Sequence, residues 1–290
     1  MVGNKKVRER LWRIAAEDRL AHAYLFAGPE EVGKKTTALA FARRILCEKR
    51  EACATCPSCL SWKAGHPDFL FIAPEGEGLR RNIGINQARS ARRFLELTGQ
   101  LGERKVVVID EADRLGGEAT NSLLKALEEP SPRMVIILVT AIPWALLATV
   151  RSRCVSVRFS PVSNAQILSW LSASGVSVDE AAELTRLSGG RPGRVHEFIN
   201  DAKAKKDFVA TVRLFQDVIG ESAFQKHKIF SSFIKNRDLL ARSRTVWLEE
   251  AHRKMPHLPA KVTFFVAALL QLDPYAPYDP VLSLLSQSTS

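Results

Sequence analysis

Residues 105–115 read KVVVIDEADRL, and this stretch decides the fold. Four apolar β-formers, Val106, Val107, Val108 and Ile109, run directly into Asp110 and Glu111. A short unbroken apolar run predicts an interior strand of a parallel sheet, buried on both faces. Open α/β sheets bind ligands beyond the carboxyl ends of their strands, which is where the two carboxylates fall. There the first can help hold Mg²⁺ and the second can polarise an attacking water. The plainer reading is a strand that stops at a solvated acidic turn, and the surrounding sequence has to separate the two.

Upstream, residues 22–27 (HAYLFA) predict a strand, followed by GPEEVGKKT at 28–36. Gly28, Gly33 and Lys34 match the G-x-x-x-x-G-K part of a phosphate-binding loop. Its glycines let backbone N–H groups face phosphate oxygens, its lysine neutralises them, and the next helix aims its N-terminus at them. A helix over 37–46 completes the strand–loop–helix order. One position departs from the pattern. The residue after the lysine should carry a hydroxyl for Mg²⁺, but it is Lys35. Thr36 carries the hydroxyl one place late, about 100° further round a helix. Glu31 also sets a carboxylate inside the loop. The fold is that of a phosphate-loop NTPase; the site is crippled, with weak or absent binding of ATP and Mg²⁺ and no efficient hydrolysis.

Between these motifs lie Cys47, Cys53, Cys56 and Cys59, spaced C-x5-C-x2-C-x2-C. Four thiols this close, with no secretory signal in view, predict a tetrahedral zinc site rather than redox-active thiols. Four cysteines leave no open position for water, so the zinc is expected to be structural. His66 is a spare candidate ligand, and Cys154 reads as an inert buried thiol.

Elsewhere the pattern predicts an amphipathic helix over 6–19, a strand over 69–72 and a helix over 86–97. Arg80 and Arg81 lie just before that last helix and Arg89, Arg92 and Arg93 on it, an arrangement that could meet a phosphate backbone or be a solvated face. A helix over 118–129 stops at Pro130 and Pro132, and an all-apolar strand over 134–139 ends at Thr140. Ser152-Arg153-Cys154 precedes a short strand at 155–159. Past Pro161 helices are expected at 166–172, 178–187 and 195–199, then a lysine-rich linker at 201–207. Further helices follow, one of them apolar all round (262–272) and hence buried.

The chain has 290 residues, 46% of them hydrophobic, and a formal net charge of +11. That length suggests two or three domains, and that composition excludes disorder as the main state. The basic excess favours an anionic partner. Residues 1–20 lack an apolar signal core, and the longest apolar stretch, 134–150, is broken by Thr140 and Pro143. A soluble cytoplasmic protein with no membrane partner is the expectation.

Taken together, the loop at 28–34, the cysteine insertion, His66-Pro67-Asp68, DEADRL at 110–115, NSLLKALEEP at 121–130 and Ser152-Arg153-Cys154 resemble the AAA+ ATPases. Within them the chain is similar to the delta-prime family of bacterial DNA polymerase III clamp-loader subunits, over residues 1 to about 200. The resemblance implies an AAA+ core at 1–160 with a zinc module at about 47–66. It also implies a small helical lid at 161–202 and a C-terminal helical collar at 203–290 used for oligomerisation. It implies that Arg153 is a finger reaching a neighbouring subunit's ATP, that Thr140 and Arg194 are sensor residues, and that Asp110 and Glu111 belong to a degenerate nucleotide site. The implied partners are gamma/tau and delta subunits, with the sliding clamp and primer-template DNA met through the complex. Two alternatives compete. An active motor-type ATPase would use Asp110 and Glu111, against Lys35 and Glu31. A zinc-dependent DNA-binding module would need more than Lys49 and Arg50 as its basic residues. An RNA helicase, which the letters DEAD invite, would need a second RecA-like domain where helices are expected instead.

Overall fold

The computed structural model describes residues 1–76 and 81–220. They fall into two compact units, Met1–His196 and the part from Glu197 onward. The expected apolar helix at 262–272, and most of the expected collar, lie outside the described residues. In the first unit the elements run α1 (Lys5–Ala16), β1 (Ala23–Ala27), α2 (Lys34–Leu46), α3 (Pro57–Ser61), β2 (Phe69–Ile72), α4 (Ile85–Glu96), β3 (Lys105–Ile109), α5 (Gly117–Glu128), β4 (Met134–Thr140), α6 (Ala148–Arg151), β5 (Val155–Arg158), α7 (Asn164–Ala173) and α8 (Val178–Ser188). Next come α9 (Pro192–Asn200) and α10 (Ala202–Gly220), the unit boundary falling inside α9.

The five strands form one all-parallel sheet in the order β2-β3-β4-β1-β5. Side chains alternate across a strand, and here both faces are covered. Val106, Val108, Val135, Ile137 and Val139 join Tyr24, Phe26 and Phe41 in a core under α1 and α2. Val107, Ile109, Ile136 and Leu138 join the core under α4, α5 and α6. That two-sided burial is why β3 and β4 are unbroken apolar runs. Phe41 of α2 fixes one layer, meeting Tyr24 edge-on at 5.3 Å and stacking on Phe26 at 6.3 Å. Each aromatic buried in this way contributes roughly 2–3 kcal/mol.

The sheet is the parallel, helix-covered α/β sheet that the sequence predicts, with the cysteine segment inserted between α2 and β2. Two local expectations are corrected. The third helix after β5 starts at Pro192 rather than Val195, proline being well tolerated in a first helical turn. The expected linker at 201–207 is instead the start of α10. The Asp201 carboxylate caps it, accepting N–H bonds from Lys203 (2.9 Å) and Ala204 (3.1 Å). A capped start outweighs the polarity of lysines, which are good helix formers.

Candidate nucleotide pocket and cysteine knuckle

β1, β3 and β4 deliver their carboxyl ends to one cavity of about 910 Å³, walled by the loop at 30–37, Asp110, Glu111, Asp113 and Thr140. Gly28 is required by close approach: a Cβ there would lie 2.3 Å from the Phe159 carbonyl oxygen. Gly33, at φ +93°, is the N-cap of α2 and brings no side chain to its first turn. The N–H groups of that turn lack intrahelical acceptors and make an anion-binding terminus.

Inside this frame the protein's own charges are matched with one another. Lys34 is only 7% exposed and donates to the carbonyl oxygens of Gly28 (2.7 Å) and Pro29. Burial pushes its ammonium down to about 8, against the pull of Glu30, Asp110 and Asp113. Lys35 reaches across to Asp110, with Nζ 3.1 Å from Oδ2, and lies 4.8 Å above the Phe71 ring. Thr36 lines the cavity too, but it is the Lys35 head that meets Asp110. Magnesium needs oxygen ligands around it. An ammonium at the carboxylate offers none and repels the ion, so these residues do not fit Mg²⁺.

Glu111, at φ +46°, is bound on both oxygens: Arg81 donates to one at 2.9 Å and Arg114 to the other at 2.8 Å. Thr140 donates to Asp113 and accepts the Ile142 N–H at 2.9 Å. Arg194 is 6% exposed, and its Nε donates to Glu31 Oε2 at 3.0 Å while the Gly193 N–H donates to the Glu31 carbonyl at 2.9 Å. The in-loop carboxylate thus engages the arginine expected to sense phosphate. The sequence reading missed Arg81 and Arg114 as partners of Glu111. Arg114 stands one helical turn after it, a local signal, whereas Arg81 is thirty residues away in the sequence, among the basic residues before α4. On α4 itself Arg92 pairs with Glu96 at 3.4 Å, while Arg89 and Arg93 are exposed.

Arg153 lies in the three-residue link between α6 and the edge strand β5. Its guanidinium donates to the Thr149 carbonyl and pairs with Glu128 Oε1, both at 2.9 Å. Ser152 is exposed and also donates to Thr149. Cys154 is half-buried, and burial raises its thiol to about 11, which keeps it protonated and inert.

The four cysteines converge, their sulfurs all within 4.8 Å of one another. Cys47 ends α2 and Cys56 caps α3. The Cys47 and Cys56 sulfurs are 3.9 Å apart, against about 3.8 Å for two thiolates on a tetrahedral zinc with bonds of about 2.3 Å. Backbone N–H groups of Cys53, Cys56 and Cys59 donate to the sulfurs of Cys47, Cys53 and Cys56, each at 3.4 Å. The Thr55 hydroxyl and backbone donors bring the Cys53 thiol down to about 5. Arg50, Ala52 and Ala54 all take left-handed backbone conformations, which lets so short a segment fold round one point. The donor set and its spacing fit zinc.

His66 stands beside the cluster without joining it. Its Nδ1 accepts the Asp68 N–H at 3.0 Å, so Nε2 carries the proton and donates to Ser58 Oγ at 2.7 Å. Ser58 in turn donates to the Leu46 carbonyl at 2.7 Å. Asp68 is fully buried and accepts N–H bonds from Gln100, Leu101 and Gly102 and an ion pair from Lys105 at 3.2 Å. Burial pushes its carboxyl up, but these donors outweigh that and hold it below the usual range. The His-Pro-Asp stretch is a brace between the knuckle and the sheet.

Residues 3–163 match the family described as DNA polymerase III, delta subunit. The chain belongs to that family. The DNA polymerase III delta-prime subunit of Pseudomonas aeruginosa is 38% identical over 64% of this chain and 58% of its own length. That of Bacillus subtilis is 32% identical over 69% of this chain and 60% of its own. The chain therefore spans less than two thirds of the curated relatives it matches. Among solved structures, a DNA polymerase III gamma subunit-related protein from Thermotoga maritima superposes with a TM-score of 0.51, at 21% identity. That match covers 97% of this chain and 98% of the other, and shows a shared fold.

Proposed function

We propose that this chain is a non-hydrolysing clamp-loader subunit of DNA polymerase III. It assembles with gamma/tau and delta subunits, supplies Arg153 to a neighbour's ATP, and so helps load the sliding clamp on primer-template DNA in the cytoplasm. The observation that carries the reading is the Lys35–Asp110 ion pair. It puts a cation of the protein's own on the carboxylate that would otherwise bind Mg²⁺, which opposes the metal-bridged phosphates that hydrolysis requires. The rest of the site supports the same reading, with Glu111 between two arginines and Arg194 engaged by Glu31. In this reading residues 1–160 are the core, 161–202 the lid and 203–290 the oligomerising collar. Cys47, Cys53, Cys56 and Cys59 hold one structural zinc.

Arg153 suits the donor role chemically: a guanidinium is always charged and presents a planar fork to phosphate oxygens. Its side chain is about one-third exposed, and its Glu128 partner is half-exposed. Such a pair is worth less than about 1 kcal/mol and is readily exchanged for a phosphate. Arg153→Ala is therefore expected to leave the isolated chain folded and to slow ATP hydrolysis by the reconstituted complex. Fingers supplied in trans contribute roughly 10³–10⁵ in rate in related NTPases. An unchanged rate in that complex would remove the assignment.

A further inference from the structure

We infer that Ile142, Trp144 and Leu147 form an apolar docking face for the neighbouring subunit that receives Arg153, with Trp144 as its anchor. The inference rests on the finger-donor reading and goes further by naming the surface that seats the neighbour. Ten large apolar side chains are exposed among the described residues, and four of them, Ile142, Trp144, Leu147 and Val155, fall within residues 142–155. Single exposed apolar residues are ordinary on a protein surface, but a group of them marks an interaction site. Trp144, at 74% exposed, is the largest of the four. The display is braced from beneath. Leu146 and Val150 are buried in the core under α4, α5 and α6 and fix the segment there. Backbone turns then follow one another along it. The Ala145 N–H donates to the Ile142 carbonyl at 3.0 Å, those of Val150 and Arg151 to the Leu147 carbonyl at 3.1 Å, and that of Arg153 to the Val150 carbonyl at 3.2 Å. Between the loop and the link that carries Arg153 stands only α6, a single turn with about 6 Å of rise. A partner that accepts the guanidinium therefore comes up against the apolar loop as well.

The charge of the same stretch selects the partner. Residues 130–178 contain no Asp or Glu, while Arg151, Arg153 and Arg158 follow the loop, the first and last of them exposed. Two copies of this face would set like charges against each other, which opposes self-association. A nucleic acid strand seeks aromatic rings on which its bases stack, whereas Ile142, Leu147 and Val155 are aliphatic. An apolar loop with cations beside it suits a protein surface that places an anion beside an apolar rim. A neighbour holding nucleotide phosphates at its edge offers that combination. Trp and Arg are also the side chains that dominate protein–protein interfaces.

The test is titration of gamma/tau and delta subunits with the full chain, reading ATP hydrolysis by the complex. It yields two quantities, the chain concentration giving the half-maximal rate and the limiting rate itself. Trp144→Ala is expected to raise the first by about 30-fold, the size of an interface hot spot, and to keep the second. Arg153→Ala is expected to lower the limiting rate. Should Trp144→Ala shift the melting curve, Leu147→Ser reads the same surface, with a rise of about tenfold. A half-maximal concentration that these changes leave in place would overturn the docking face, while the finger-donor reading stands if Arg153→Ala still lowers the limiting rate. A limiting rate that Arg153→Ala leaves unchanged would overturn that reading and the choice of partner with it. Self-association of the chain alone, or binding of a single-stranded oligonucleotide, that Trp144→Ala abolishes would also overturn the choice of partner.

Discussion

The phosphate-loop pocket and the cysteine knuckle stand at opposite ends of α2, at Lys34 and Cys47, and treat charge in opposite ways. In the pocket, cation meets anion within the protein: Lys35 with Asp110, Arg81 and Arg114 with Glu111, Arg194 with Glu31. In the knuckle, four sulfurs point at one another and backbone N–H groups donate to three of them, those of Cys47, Cys53 and Cys56. Converging anions with donors behind them call for a cation from outside, whereas a pocket whose charges are already matched has little need of one. One helix thus ends at a sulfur cluster whose donor set fits a metal and begins at a carboxylate matched by the protein's own ammonium. The difference lies in which side chains were supplied, because the backbone at both ends is still shaped for a ligand.

The knuckle should give the largest response. Cys47→Ser is expected to lose the bound zinc and to unfold the segment between α2 and β2. Structural zinc contributes about 10–16 kcal/mol of apparent binding energy in small zinc modules. With roughly 2–4 °C of melting temperature per kcal/mol, a drop of about 20 °C or more is expected, together with metal analysis falling from one zinc per chain to none. A variant that keeps its zinc and its melting point would break the comparison.

In the pocket the effects are smaller, since each charge has an internal partner. Glu31→Ala removes the carboxylate from Arg194, whose side chain is nearly buried. A hydrogen bond to a charged group is worth about 1.5–3 kcal/mol, and urea denaturation should read a loss of that size. No loss would mean that the loop carboxylate does not hold the arginine. Smaller still is a pH effect from Lys34. Its folded value, brought to about 8 by burial, lies below the unfolded value of about 10.4. The folded state therefore disfavours the ammonium. The penalty is carried in full below about pH 8 and relieved as pH rises toward 10.4. Between pH 8 and 9 the wild type should gain about 1 kcal/mol relative to Lys34→Met. Parallel curves for the two proteins would show that burial does not set this group's charge.

How much was legible in the sequence follows the same division. β3 and β4 could be read directly because strands covered on both faces must be continuously apolar. The knuckle could be read because its four ligands lie within thirteen residues, so spacing alone brings them together. Lys35 was legible as a departure from the loop pattern, but not its landing on Asp110, because two strands and their crossovers intervene. Glu31 and Arg194 are further apart still, 163 residues along the chain, and only the fold brings them together. The lysine-rich stretch after Asn200 misled because composition was weighed without its cap: Asp201 turns a polar run into the first turn of α10. Asp68 read as part of a motif, whereas its role comes from three backbone N–H groups more than thirty residues away.

The central claim is that the pocket's own charges have replaced catalysis. ATP turnover by the purified chain alone, in saturating Mg²⁺, tests it most directly. The account predicts no turnover above background, from a chain that still accelerates hydrolysis when combined with gamma/tau and delta subunits. Turnover by the chain alone that disappears on Lys34→Ala would contradict it, and would make the protein a motor in its own right.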